Sequence, residues 1–316
     1  MMKKVFALFC VFALAGAAMA AATKTAKAPV KTQPKTRAEF IVIESDEYEA
    51  GKEDKMLTQG LGQFLEVEPV VKHVSVSAVA QDPKLAGLDY SFLPLYLVKK
   101  TKAIRTKMEQ PIQYGVAQEN DEFIILPHQT RQGVYGNKTA QPGVMDLFVM
   151  SQCPYGVRAE DLIIKAKKDG TFPQDKTVRV RYIVNYTPEQ GFNSLHGSGE
   201  WEENVRQLLI AKYYPEKFWK YLEIRNKDYR SSRWDKAMEE AGINVKKIMK
   251  KFDTEGVELL KEEAKYAREY NISASPSLVW EGKVQMGLDG AAKLKGFEFF
   301  NPSAAQGVPS APSGSC

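Results

Sequence analysis

One segment constrains the fold and the chemistry of this chain more than any other. An apolar run at 144–150 ends in Ser151-Gln152-Cys153-Pro154-Tyr155-Gly156. The run reads as a strand and the following residues as the start of a helix, so Cys153 falls at or beside the N-cap. Pro154 takes the first helical position, where a missing N–H costs nothing. Unpaired N–H groups and the helix dipole stabilise a thiolate there, which makes the sulfur reactive near neutral pH. A dithiol redox site needs its second sulfur three residues on, and that position is Gly156. The site therefore reads as half complete.

The compartment follows from the first residues. Lys3 and Lys4, an apolar stretch at about 5–15, and Ala18-Met19-Ala20 form the pattern of a secretory signal over 1–20. The stretch is short for a membrane span, and no later segment approaches the ~18 uninterrupted apolar residues that a span requires. The expectation is cleavage after Ala20 and an exported product, in a bacterial periplasm or secreted, with no integral membrane segment; an uncleaved anchor is the alternative. Cys10 would leave with the signal, since Phe9 stands where a lipoprotein signal wants a small residue. Cys153 and Cys316 remain, too few for a disulfide-stapled scaffold. A chain of 316 residues with two cores to fill suits two domains.

The formal charge of +5 is misleading. Lys3, Lys4, Lys24, Lys27, Lys31, Lys35 and Arg37 account for more than the whole excess and leave the rest slightly acidic. Nucleic acid is therefore not an expected partner. Residues 21–37 read as a disordered basic spacer. His73 and His128 have no cysteine or carboxylate neighbours at ligand spacing, so neither a metal nor any other cofactor is expected.

Periodicity predicts a first domain over 38–128, with strands at 40–43, 70–76, 92–98 and 123–126 and a helix at 48–65. Residues 129–143 are polar and rich in Gly, Thr and Gln, the composition of a linker. A second domain over 144–300 repeats the order, with strands at 144–150, 177–184, 277–280 and 284–286 and a first helix at 154–168. Between its second and third strands a helical insertion is predicted, with helices at 199–214, 215–225, 232–241, 245–252 and 254–270, the last capped by Thr254. A final helix at 290–299 precedes a disordered tail at 301–316. Alternating strands and helices imply an α/β fold with helices packed on a central sheet.

The stretch 146–156 resembles the active-site strand and turn of the thioredoxin superfamily. Ser275-Pro276-Ser277-Leu278-Val279-Trp280 resembles the cis-proline segment of that superfamily. Their separation, filled by helices, is similar to the DsbA-like branch, in which a helical domain is inserted into the thioredoxin core. Ser194-Leu195-His196-Gly197 and the helices through Arg225-Asn226-Lys227 resemble DsbA-like proteins and lysosomal thiol reductases. Over 38–127 the resemblance rests on element order and Leu93-Pro94.

The resemblance implies a thioredoxin-like fold with an inserted helical domain, preceded by a smaller thioredoxin-like α/β domain. Cys153 would be the nucleophile that forms mixed disulfides with exported clients, and Pro276, if cis, would present the backbone of Ser275 to them. Relatives generally carry a second cysteine at the position of Gly156 or more in the inserted helices, where this chain has Leu208-Leu209, Ile224 and Ala237. The turn after Ile43, Glu44-Ser45-Asp46-Glu47, lacks cysteine, so the first domain would do no thiol chemistry.

Exchange needs an attacking thiolate and a way to resolve the mixed disulfide. Resolution would come from a small thiol, a redox partner protein, or Cys316, whose tail of about fifteen residues has a reach of about 20 Å. Alternatively Cys316 is incidental or pairs between molecules. His196 either stabilises the Cys153 thiolate or serves structure. Glu202-Glu203, Glu239-Glu240 and Glu262-Glu263 read as solvated helix faces, and Tyr213, Tyr214, Phe218, Trp219 and Tyr221 as core packing. Two functions remain open: a thiol-disulfide oxidoreductase or isomerase using one cysteine, and a redox-inactive client-binding or chaperone-like module.

Overall fold

A computed structural model of the chain describes residues 36–301. The expected signal (1–20) with Cys10, nearly all of the expected basic spacer, and the expected tail beyond Asn301 with Cys316 lie outside the described residues. The chain divides into two compact units between Thr130 and Arg131. It is an α/β protein with two mixed sheets.

The first unit runs β1 (Thr36–Glu44), α1 (Lys55–Leu65), β2 (Val67–Ser75), β3 (Phe92–Leu93), β4 (Leu95–Lys99), α2 (Lys102–Lys107), α3 (Glu109–Gln113), β5 (Gln118–Glu119) and β6 (Phe123–Leu126). Thr36 and Arg37 belong to β1, so the spacer expected over 21–37 does not extend to these two residues. The sheet order is β2-β1-β4-β6-β5, with β1 parallel to β2 and antiparallel to β4. Phe40-Ile41-Val42-Ile43 is continuously apolar because both faces of β1 are covered. Phe40 and Val42 pack with Leu61, Leu65 and Tyr96. Ile41 and Ile43 pack with Val79, Leu85 and Leu95 on the other face. Asp54 starts α1 by accepting from the N–H groups of Met56 and Leu57, and Glu66 ends it at φ 58°.

The second unit runs β7 (Gly133–Tyr135), β8 (Val144–Val149), α4 (Pro154–Lys168), β9 (Thr177–Tyr182), β10 (Asn185–Thr187), β11 (Gly191–Asn193), α5 (Ser198–Tyr213), α6 (Phe218–Arg225), α7 (Trp234–Glu240), α8 (Val245–Met249), α9 (Val257–Glu269), β12 (Ser277–Trp280), β13 (Val284–Met286) and α10 (Leu288–Ala291). Its strands lie in the order β7-β13-β12-β8-β9, with β8 and β9 parallel and the other pairs antiparallel. The series β9-β8-β12-β13 has the directions of β2-β1-β4-β6 in the first unit. In each unit a cis X-Pro bond, Leu93-Pro94 or Ser275-Pro276, directly precedes the third strand of that series. In the second unit the helices α5–α9 lie between the parallel pair and β12, where the helical insertion was expected.

Four expectations are corrected. The segment 129–143 is more than a linker, because it supplies β7, where Val134 and Tyr135 are buried and the Tyr135 hydroxyl donates to the Tyr270 carbonyl at 2.6 Å. Thr254 does not cap α9; it lies in a π-helical turn, Phe252–Gly256, that leads directly into the helix. The helix expected at 290–299 stops at Ala291, and after Gly296 at φ 91° the chain forms only a 3-10 turn, Glu298–Phe300. The acidic pairs are not uniformly solvated, since Glu203 and Glu263 are buried. Glu203 accepts from Arg206, Gln207 and Tyr221, and Glu263 from Arg181 and the Tyr182 N–H, so each buried carboxylate has charged and neutral donors.

Candidate active site

The site is built where β8 stops. Residues Met145–Val149 are buried, because β8 is an interior strand flanked by β9 and β12. The chain then turns over Ser151 and Gln152, with the Cys153 N–H donating to the Met150 carbonyl at 2.9 Å. Cys153 is the N-cap of α4 with extended backbone, Pro154 follows at the first helical position, and the Val157 N–H closes the first helical bond onto the Cys153 carbonyl at 3.0 Å.

Register brings the second segment to the sulfur. Ser277 pairs with Phe148, which sets Ser275 beside the end of β8. The Ser275 hydroxyl accepts from the Met150 N–H at 3.0 Å, and its carbonyl oxygen lies 3.6 Å from Cys153 Sγ. Cys153 and Ser275 have no exposed surface. Cys153 is disulfide-bonded, and it is the one cysteine among the described residues. The sulfur expected as a solitary thiolate is thus in its oxidised form.

Gly156 is closed to a side chain. A Cβ there would lie 2.6 Å from the Ser275 hydroxyl oxygen, 3.2 Å from Val149 Cβ and 3.3 Å from the Met150 carbonyl oxygen. The place where a dithiol motif would hold its second sulfur is filled by a serine hydroxyl that already bonds the Met150 N–H at the end of β8. Glycine is required here by close approach.

The turn before Cys153 is fastened from α5. Glu200, in the first turn of α5 and fully buried, accepts the Gln152 N–H at 3.1 Å, and its own carbonyl accepts from the Ser151 hydroxyl at 3.1 Å. His196 Nδ1 lies 2.6 Å from the same Glu200 oxygen. His196 therefore reaches the cysteine turn through Glu200. Arg230 donates to the Gln152 carbonyl at 3.3 Å, so the backbone of Gln152 is held at both its N–H and its carbonyl. Glu200 and Arg230 were not singled out from the sequence. The readable signal was His196 and Glu200 at i,i+4 spacing across a helix start.

Behind the turn the second unit holds a buried ionic cluster around Asp146 and a buried carboxyl, Glu160. Asp146 on β8 accepts from Arg179 at 2.7 and 2.8 Å, Arg181 at 3.2 Å and Tyr266 at 2.9 Å. Further along α4, on the face that carries Cys153, Glu160 is buried and bonded by Asn226 at 3.1 Å. Burial, aided by the nearby charges of Asp161 and Glu203, pushes its carboxyl up to about 8. Among the described residues no cluster of three or more His, Cys, Asp or Glu side chains could hold a metal ion, and no helix is long and apolar enough to cross a membrane.

No family model matches the chain, and no curated protein matches it. Solved structures similar to it include the DsbA disulfide interchange protein of Klebsiella pneumoniae, 15% identical over 54% of this chain and 93% of that one, with a TM-score of 0.35. The disulfide oxidoreductase DsbA of Proteus mirabilis is 14% identical over 55% and 91%, with a TM-score of 0.36. Oxidised BdbD of Bacillus subtilis is 17% identical over 52% and 84%, with a TM-score of 0.36.

Proposed function

We propose that this chain is an exported thiol-disulfide exchange protein in which Cys153 is the attacking sulfur and exported proteins with thiols or disulfides are the clients. The observation that carries this reading is the placement of Cys153, at the N-cap of α4 with Sγ 3.6 Å from the Ser275 carbonyl. In the reduced form, the first-turn N–H groups and the dipole of a fifteen-residue helix favour the thiolate. The thiolate attacks a client disulfide; a mixed disulfide forms and the second client sulfur leaves as a thiolate. Glu200 and Arg230 act as positioning residues by fixing the peptide of Gln152. The expected signal at 1–20 supports action in a periplasm or outside the cell, where disulfides persist.

A client-binding module without turnover is the second reading, and the closed Gly156 position, which leaves no room for a second sulfur beside Cys153, favours it. The two separate on the reduced mature chain carrying Cys316→Ser, mixed with oxidised glutathione and followed by intact mass. The exchange reading predicts one glutathione bound at Cys153 within the mixing experiment. Absence of the adduct, with the fold intact, would leave only the binding module.

A further inference from the structure

We propose that Arg230 selects substrates by charge, so that Cys153 exchanges preferentially with anionic disulfides: client cysteines beside an acidic side chain or a carboxylate and, among small molecules, glutathione disulfide. The inference rests on Cys153 being the attacking sulfur and adds which disulfides it takes.

Four arginines of the second unit face carboxylates, Arg179 and Arg181 at Asp146, Arg206 and Arg225 at Glu203. Arg230 differs. It is exposed, forms no ion pair among the described residues, and donates to the Gln152 carbonyl at 3.3 Å. Its guanidinium also lies over the Tyr229 ring, 5.7 Å from the centroid. A carbonyl takes up one donor and neutralises no charge, whereas a guanidinium has several N–H donors in a fork that fits a carboxylate. The surrounding segment has the same sign: Lys227, Arg230 and Arg233 are exposed against Asp228 alone.

Position gives this charge its use. Gln152 directly precedes Cys153, and consecutive Cα atoms are about 3.8 Å apart, so the cation stands about one residue's length from the backbone that carries the sulfur. A group one or two residues from the reacting cysteine of a bound client is within that reach. In glutathione the glycine carboxylate follows the cysteine residue directly, which is the same spacing. The neighbours on the other side of the sulfur, Ser275, Pro276 and Gly156, are uncharged. The one carboxylate bonded to the turn, Glu200, is fully buried and already accepts from the Gln152 N–H and faces His196. Arg230 is thus the exposed charge bonded to the cysteine turn.

The Cys153 thiolate attacks the sulfur of the half whose carboxylate Arg230 holds. The new bond forms between Cys153 Sγ and that sulfur, the substrate disulfide breaks, and the other half leaves as a thiolate. No electron or proton passes through Arg230, which binds and orients one half of the substrate. An exposed cation acts partly through solvent, so the preference is of order tenfold and weakens with salt.

The test follows adduct formation by intact mass on the reduced protein lacking residues 1–20 and carrying Cys316→Ser. Three disulfides are compared: glutathione disulfide, which is anionic, hydroxyethyl disulfide, which is neutral, and cystamine, which is cationic. The ratio of the glutathione to the cystamine rate should fall about tenfold in Arg230→Gln, fall further in Arg230→Glu, and stay within about twofold of the parent in Arg230→Lys. Loss of the bond to Gln152 slows all three disulfides alike and cancels in the ratio, so a merely structural role would not move it. The parent needs no variant for a second reading: about 0.5 M sodium chloride should lower its ratio. A ratio unchanged in Arg230→Gln and Arg230→Glu, or unchanged by salt in the parent, would overturn charge selection and leave Cys153 as the attacking sulfur. Failure of all three disulfides to react with the parent would overturn both readings.

Discussion

The closed space at Gly156 makes a prediction in which two physical effects have opposite signs. Gly156 lies in the first turn of α4, where replacement of glycine by alanine favours a helix by up to about 1 kcal/mol. The added Cβ would lie 2.6 Å from the Ser275 hydroxyl oxygen, closer than such atoms approach. Ser275 can relieve this by turning its hydroxyl away, which abandons the buried Met150 N–H now bonded at 3.0 Å. An unsatisfied buried donor costs about 1–3 kcal/mol. Val149 Cβ and the Met150 carbonyl, at 3.2 and 3.3 Å, must also give way, and overpacking of this kind costs about 1–3 kcal/mol. Gly156→Ala should therefore destabilise the second unit by about 1–4 kcal/mol. In the double variant with Ser275→Ala the clash with the hydroxyl is gone, so the combined loss should fall short of the sum by about 0.5–3 kcal/mol. Urea unfolding of the four proteins, monitored by fluorescence and circular dichroism, measures both quantities. A Gly156→Ala protein as stable as the native chain, or stabilised as helix propensity alone requires, would refute the reasoning. So would strict additivity.

Other consequences are smaller in scope. Glu160 has a carboxyl raised to about 8 by burial, so its protonation favours the folded state. That contribution is fully present below the unfolded value near 4.5 and is lost as pH rises through about 8. Glu160→Gln, uncharged throughout, should gain Tm relative to the native chain between pH 5 and 9, and a flat difference would contradict the assignment. Glu200→Ala removes a carboxylate from the Gln152 N–H and from His196, and should slow glutathione exchange at Cys153 by about tenfold or more. Glu200→Gln, which keeps an acceptor, should recover part of that rate; equal rates in all three proteins would deny Glu200 a positioning role. Glu203→Leu leaves Arg225 buried without its carboxylate and Arg206 with only the more exposed Glu202, and should cost about 3–5 kcal/mol in denaturant unfolding. A loss below about 1 kcal/mol would show that these charges find water.

Sequence reasoning reached the framework of the second unit because its punctuation is local. Pro154 fixes where α4 starts, Asp169-Gly170 where it stops, and β12 and β13 are short apolar runs bounded by Pro276 and Gly287. The approach of Ser275 to Cys153 follows from pairing β12 with β8, a relation between segments more than a hundred residues apart. What escaped was fixed by partners distant in the chain. β7 has only Gly133, Val134 and Tyr135, and it is held by pairing with β13 and a hydroxyl bond to Tyr270 rather than by any local pattern. Glu203 and Glu263 sit in helices whose spacing reads as solvent-facing, yet Arg225, Tyr221 and Arg181 are brought to them by the fold. The closure at Gly156 was also invisible, since a glycine in a sequence does not tell which neighbour occupies its missing side chain.

The acidity of the Cys153 thiol is the property on which the proposed chemistry turns. Ultraviolet titration of thiolate absorbance in the reduced protein lacking residues 1–20 and carrying Cys316→Ser reads that one group directly. A value well below the ~8.5 of a free cysteine is the expected result. A value at or above it, as for a thiol merely buried among apolar neighbours, would contradict the account.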